Sequence, residues 1–362
     1  MMNARLVVSM LAAVALGGCT APERDRAGQT REFWLSRTFV QDRGILVVSE
    51  NPQFQNDHRA AVLRVGLAYD VELIASANVD VPSGASAWLE ARLLDQWPDA
   101  PGMDASPWFV LASYGAASGT KPPLTKAGGI TLDIDTLRFP PRYETAEVRV
   151  RSTSSETVVH RIDATTSARA IRPAAERLPD KGVPVVRGLD LGVPFLSQKT
   201  SRPELSGRLC SPTSLAMVLN FHGVPCEVEG TAAATYDPAH DIYGNWPRNI
   251  QAAYERGVAG LLTRFHTWEA VESTLASGNP IIASIVVEPG ELRGAPYTST
   301  DGHLIVIRGI DDRGDLLVND PAAGTPETGR LTYRRADMER VWFENTKGTA
   351  YVLTPRTGRA KE

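Results

Sequence analysis

Three cysteines in 362 residues are too few for a disulfide framework. Charge of one sign is also missing: 38 Lys and Arg against 42 Asp and Glu leave a formal charge of -4. No cluster of Lys and Arg with interleaved aromatics stands out, so nucleic acid is not an expected partner. Beyond the first residues no stretch approaches the roughly 18 apolar residues of a membrane span. There is no Walker motif GxxxxGK[ST], no repeat of about 20 to 50 residues, and no long low-complexity tract. His240 has Asp237 and Asp241 beside it in sequence. Without a second nearby His or Cys this donor set is too poor for zinc, and neither a metal nor a cofactor is expected.

What is present is a globular balance, 43% hydrophobic with 22% charged residues, in a chain long enough for two ordinary domains. The opening MMNARLVVSMLAAVALGGCTAPERDR has a basic start at Arg5, an apolar run from Leu6 to Leu16, and then small residues, the layout of an export signal. The run ends in Leu16-Gly17-Gly18-Cys19, which resembles the bacterial lipobox and implies a lipidated Cys19. Cleavage after Ala13-Val14-Ala15 is the alternative, leaving a secreted or periplasmic soluble chain. The expectation is a signal peptide over 1–18, a tether over 19–32, and a protein held on a membrane of the cell envelope.

The front half, 33–170, reads as short β-like runs such as GILVVSE, VELIASANVDV, SAWLEARLL, ITLDIDTLRF and TVVHRIDATT, punctuated by Pro and Gly. That spacing suggests a β-sandwich. QWPDAPGMDASPW reads as a loop carrying Trp97 and Trp108, either core aromatics flanking strands or a surface for sugar or peptide. Residues 171–189, with three prolines and no periodicity, read as a linker. Beyond it helical candidates precede apolar strands, so the expected class is α+β.

With Cys19 set aside, only Cys210 and Cys226 could pair. SLAMVLNFHG between them has helical spacing and a stop at Gly223. Such a helix separates its ends by roughly 16 Å, and unless Cys226 folds back the pair cannot close. Cys210, with Pro212 in the first turn, would sit at a helix start, where the dipole and free N–H groups favour a thiolate. A nucleophile needs a base. DGHLIVIRGIDDRGDLLVNDPA reads as a hairpin that brings His303 opposite roughly 322 to 324, with Asp320 on the same face for any two-residue loop; a loop with an odd count would spoil this. Gln198 is a candidate amide donor to an oxyanion. The Tyr- and Trp-rich loop YDPAHDIYGNWPRN should flank the cleft, with Trp246 and Asn245 as substrate contacts, and Ser211 beside the nucleophile as a third.

The segments VPFLSQ, CSPTSLAMVLNFHG and GHLIVIRGID with VNDPA resemble the C39-like branch of the papain-like cysteine peptidases, over roughly 190–356. The resemblance implies Cys210 as nucleophile, His303 as general base, Asp320 as orienting carboxylate and Gln198 as oxyanion partner. It also implies a peptide or protein substrate and no cofactor. The front half looks more loosely like the domain preceding the peptidase in secreted bacterial members. Ser211 stands where that family usually has Gly, and the exporter-bound role of better-known members is not carried over, because Walker motif and membrane helices are missing. The same machinery would also serve an amidase or acyltransferase on cell-wall peptides, and a non-catalytic surface-binding lipoprotein is the rival outside enzymes. Nothing in the sequence specifies an oligomeric state.

Overall fold

The structure, a computed structural model, describes residues 36–41, 44–50, 60–67, 70–96, 102, 104–168 and 186–355. The expected signal peptide and tether with Cys19, most of the linker, and Trp97 lie outside the described residues. Among the described residues no helix is long and apolar enough to cross a membrane.

Among the described residues eleven strands come first: β1 (Ser36–Gln41), β2 (Gly44–Glu50), β3 (Ala60–Gly66), β4 (Asp70–Asp80), β5 (Ser86–Leu94), β6 (Phe109–Gly115), β7 (Lys126–Ala127), β8 (Ile130–Asp133), β9 (Thr136–Arg138), β10 (Thr145–Ser152) and β11 (Val158–Ala168). They form two antiparallel sheets, ordered β1-β2-β11-β4-β9-β8-β7 and β3-β10-β5-β6. Alternate residues from both, among them Leu73, Ala75, Ala77 and Val79 of β4 and Ala146, Val148 and Val150 of β10, meet in one hydrophobic cluster. Period-two burial is what strand geometry demands. ITLDIDTLRF is not the single run expected: it folds back at Ile134-Asp135, pairing Asp133 with Thr136. Ile134 takes φ 56°, uncommon for a β-branched residue, and no Gly or Pro advertises the turn. Trp108 is neither bare nor core, because Arg92 and Arg149 stack on its ring at 4.7 and 3.7 Å.

The remainder runs β12 (Leu189–Asp190), α1 (Cys210–Phe221), α2 (Val228–Thr235), α3 (Trp246–Glu255), β13 (Val258–Arg264), α4 (Trp268–Ala276), β14 (Ile281–Val287), β15 (Thr300–Ile310), β16 (Leu316–Asn319), α5 (Pro326–Gly329), β17 (Arg330–Tyr333), α6 (Arg335–Met338), a π-helical turn Glu339–Glu344, and β18 (Thr349–Pro355). The strands form an antiparallel sheet ordered β13-β18-β14-β15-β16-β17, with β12 also on β15. α1 is buried from Ser211 to Leu219, which fits its apolar composition, and it ends at Gly223 with φ 80° as expected for a C′ glycine.

The two halves are joined by side chains. β4 buries both faces: its second face carries Ile74 into the cluster around α1 and α3 and turns Ser76 and Asn78 toward β13. β13 is an edge strand, and Asn78 supplies what a neighbouring strand would, its Nδ2 donating to the Gly260 carbonyl at 2.8 Å and its Oδ1 accepting from Gly260 N–H at 3.0 Å. Leu262 N–H donates to Ser76 Oγ at 3.0 Å. Gln251 of α3 pairs in the same two-way manner with the Val79 backbone. An exposed edge is an aggregation hazard, and here polar side chains close it.

Candidate active site

Cys210 is the first residue of α1. Leu209, before it, caps nothing with its side chain, whereas Asn245 and Thr267 cap α3 and α4 through theirs. The first-turn N–H groups of α1 are therefore left for the sulfur and for whatever binds above it. Cys210 is half-buried and free, and Cys226 is free too, with its backbone tied to Asn220.

His303 lies on β15 and is 5% exposed. Its Nε2 donates to Asp320 Oδ1 at 2.8 Å. The Cys210 sulfur lies close enough to the ring for the two groups to shift each other's ionisation. Burial alone raises the Cys210 thiol, but the hydrogen bond and charge of His303, with the Leu304 and Ser211 N–H groups, outweigh it and hold the thiol below its ordinary range. Burial alone would lower His303, but the Asp320 carboxylate and the sulfur raise it to about 10. Asp320 is fully buried; burial would raise it, and His303 together with Tyr333 and the Ala322 N–H brings it below the ordinary value. All three shifts favour one state, thiolate beside imidazolium beside carboxylate.

The hairpin that makes this alignment has an odd turn. Ile310 pairs with Leu316 across the five residues 311–315. Such a turn alone would set Asp320 opposite Val306, on the wrong face. The register slips by one between Ile307 and Gly309, so that Val306 pairs with Asn319. Asp320 then falls opposite Ile305, two residues from His303 and on its face. The slip is a β-bulge at Arg308. Arg308 Nη1 donates to Asp190, while Leu191 N–H donates to the Arg308 carbonyl at 2.9 Å. A Cβ on Gly309 would come 1.9 Å from the Leu189 carbonyl oxygen, so β12 can dock there only against glycine.

Two residues missed in the sequence complete the carboxylate's shell. Tyr297 and Tyr333 each donate a hydroxyl to Asp320 Oδ2, at 3.0 and 2.7 Å. Tyr297 also packs edge-on against the His303 ring, centroids 5.0 Å apart. Neither has a sequence signal beyond being a tyrosine in the right region.

Gln198 is held against the same loop, its N–H donating to the Pro321 carbonyl at 2.9 Å while Ser197 Oγ donates to Ala323 O at 2.6 Å. The side chain is buried, yet its Oε1 has no hydrogen-bond partner among the described residues. A cavity of about 570 Å³ opens over Cys210, with Trp246 in its wall. Asn245 and Ser211, expected as substrate contacts, are bonded within the frame. Asn245 caps α3 and donates to Asp237, and Ser211 Oγ donates to Asn249 at 3.0 Å from beneath the helix. Asp237 also holds His240 Nδ1 at 2.9 Å, which explains that acidic pairing as loop structure. The far wall of the cavity was not foreseen: Glu72, Thr136 and Arg138 come from the front half.

Comparison with known proteins bears on the second half of the chain. Residues 190–351 match the model of the Peptidase_C39 like family. No curated protein matches. Among solved structures, a C39-like peptidase from Bacillus anthracis is 16% identical, covering 47% of this chain and 98% of its own, with a TM-score of 0.35. A double glycine motif protease from an AMS/PCAT transporter, solved in complex with the leader peptide, is 20% identical, covering 48% and 98%, with a TM-score of 0.32. Over residues 190–351 the chain is thus similar to the Peptidase_C39 like family.

Proposed function

We propose that this chain is a cysteine peptidase that hydrolyses peptide bonds through Cys210, His303 and Asp320 with help from Gln198. The reading rests on one observation: a sulfur at a helix start and a buried carboxylate both act on one imidazole. The Cys210 thiolate attacks the scissile carbonyl, forming the C–S bond as the carbonyl electrons move onto oxygen. The oxyanion is met by the Cys210 N–H at the start of α1 and by the side-chain NH2 of Gln198, the donor end of its amide. Collapse of the adduct breaks the C–N bond, and the His303 imidazolium gives its proton to the leaving amine. Water, losing a proton to neutral His303, then attacks the thioester carbonyl, the C–S bond breaks, and the acid product leaves the thiolate beside the imidazolium. Asp320 keeps the ring in place and never leaves the ionised state. Trp246 offers the substrate an aromatic wall.

The organisation enters the same proposal. The front half is a β-sandwich over 33–170, linked through 171–189 to a papain-like domain over 190–356, and the whole is exported and anchored by lipidated Cys19. Cleavage of a diverse peptide library by the full chain, compared with Cys210→Ala, tests the activity; equal cleavage by both would refute it. Cys19→Ser should move the protein from the detergent to the aqueous phase of a phase separation, and a wild type already in the aqueous phase contradicts the anchor.

A further inference from the structure

The floor of the cavity can be followed strand by strand. Leu304 of β15 pairs with Ser284 of β14. The β14–β18 register, Ala283 with Ala350, brings Thr349 to the other side of Ser284, and Thr349 pairs with Arg264 of β13. Leu304, Ser284, Thr349 and Arg264 all line the cavity, as a row across four strands. Three inter-strand spacings make that row about 14 Å long. The residue after His303 lies at one end, and a cationic group lies at the other.

That group is built rather than incidental. Glu72 accepts from Arg264 at 3.0 Å, from Lys347 at 2.9 Å and from Arg138 at 3.2 Å. One carboxylate thus faces three cations on the cavity wall, and with Asp133, which pairs with Arg138 from outside that wall, the three cations and two carboxylates keep one formal positive charge. Arg264 is 3% exposed and spends its other nitrogens on Thr349 and Ser167. Lys347 and Arg138 are the accessible members. Lys347 sits on constrained backbone, with φ 57° between Thr346, whose hydroxyl donates to the Ser284 carbonyl at 2.6 Å, and Gly348 at φ 70°. A Cβ on Gly348 would come 1.8 Å from the Phe265 carbonyl oxygen. Arg138 follows the strained Ile134 turn by four residues. Non-glycine residues held at positive φ mark places where side-chain direction outweighs backbone comfort.

We infer that Arg138 and Lys347 form a specificity subsite for an anionic group of the substrate, a side-chain or terminal carboxylate about four residues from the scissile bond. An extended peptide advances about 3.3 to 3.6 Å per residue, so about four residues cover the floor. The inference rests on Cys210 being the nucleophile of a peptide-cleaving site, and it gives the front half a share in substrate choice through β4 and β9. Excess positive charge at the end of a walled cleft attracts and registers an anion there.

The test uses two series of alkylating peptides on the full chain at pH 8, where an ordinary thiol also reacts. Peptidyl chloromethyl ketones extend from the reactive carbon in one direction and N-iodoacetyl peptides in the other, each with Glu or Gln at successive positions. In one series the Glu peptide should alkylate Cys210 about tenfold faster than the Gln peptide, at a position three to five residues from the reactive carbon, the factor expected of one charge-assisted contact. Arg138→Gln and Lys347→Gln should each bring that ratio close to one. Their reaction with plain iodoacetamide should stay unchanged, showing an intact fold and thiol. Ratios near one in both series for the wild type, or a ratio that survives both substitutions, overturn the subsite. Loss of thiolate character at Cys210 in acid would instead count against the peptidase reading, a separate measurement with a separate outcome.

Discussion

Alkylation of Cys210 should persist in acid, and His303→Ala should abolish that persistence. An ordinary thiol with pKa about 8.5 is ionised to about one part in a thousand at pH 5.5. The imidazolium beside Cys210, which itself holds its proton to about pH 10, stabilises the thiolate over that range. Full ionisation gains up to about a thousandfold in reactive form. A weakly basic thiolate is also a poorer nucleophile, with a Brønsted slope of about 0.4 to 0.5, which takes back up to about a hundredfold. The net expectation is iodoacetamide labelling at pH 5.5 on the order of ten times faster than a model thiol peptide. The rate should be nearly flat from about pH 5.5 to 8, where a free thiol climbs more than a hundredfold. In His303→Ala, burial is left to act on the sulfur without its cation, and labelling at pH 5.5 should fall below that of the model peptide. Asp320→Asn should keep part of the plateau, because the ring remains beside the sulfur although its orienting charge is gone. Peptide mapping by mass spectrometry separates Cys210 from Cys226. A Cys210 whose labelling climbs steeply through pH 8 to 9 in wild type and His303→Ala alike would refute the ion pair.

Other consequences follow from the frame. The His303 contribution to stability should be fully present below about pH 6.5 and lost as pH rises through about 10, so chemical denaturation should show His303→Gln converging on wild type at the alkaline end. Tyr333→Phe removes a 2.7 Å donor from buried Asp320 and should cost about 2 kcal/mol at pH 7 by urea titration, with the deficit shrinking in acid as the carboxylate protonates. Asp135, buried and raised by desolvation to about 7 despite accepting from the Trp246 N–H, gives stability that is full below about pH 4 and fades as pH rises through about 7; Asp135→Asn should flatten that slope and gain up to about 4 kcal/mol at pH 8.5. Asn78→Ala leaves both backbone groups of Gly260 without their partner and should cost about 2 to 4 kcal/mol, while an unchanged melting temperature would mean water replaces the side chain.

The parts of the site that were legible are those where a local rule governs. A cysteine, then a proline in the first helical turn, then helical spacing reads as a helix start, and a hairpin pattern places His303 and Asp320 near each other. The residues that escaped reading are governed by long-range packing. Tyr297 and Tyr333 reach Asp320 from separate segments, and Glu72, Thr136 and Arg138 reach the cavity from the other half of the chain. Asn245 and Ser211 take up bonds that the sequence does not announce, because small polar side chains near helix starts are drawn into capping and helix-to-helix contacts. Ile134 shows the same limit in the backbone, since a β-branched residue at a turn carries no turn signal. The shared edge at β13 went unseen because Ser76 and Asn78 look, in an alternating strand, like residues meant for water.

The odd turn at 311–315 and the bulge at Arg308 act as two compensating one-residue additions, and neither works without the other. Adding or deleting one residue in that turn would rotate Asp320 to the opposite side of the sheet, yet most of the ladder and all three residues would survive in the sequence. A chain so altered would retain Cys, His and Asp at near-identical spacing and have no carboxylate behind its imidazole, with Leu316 and Val318 turned from their core as well. Competence in such chains is therefore a question of counting: turn length and bulge must share a parity, and a loop graft or a homologue with one residue more is to be judged by that count before its triad is trusted.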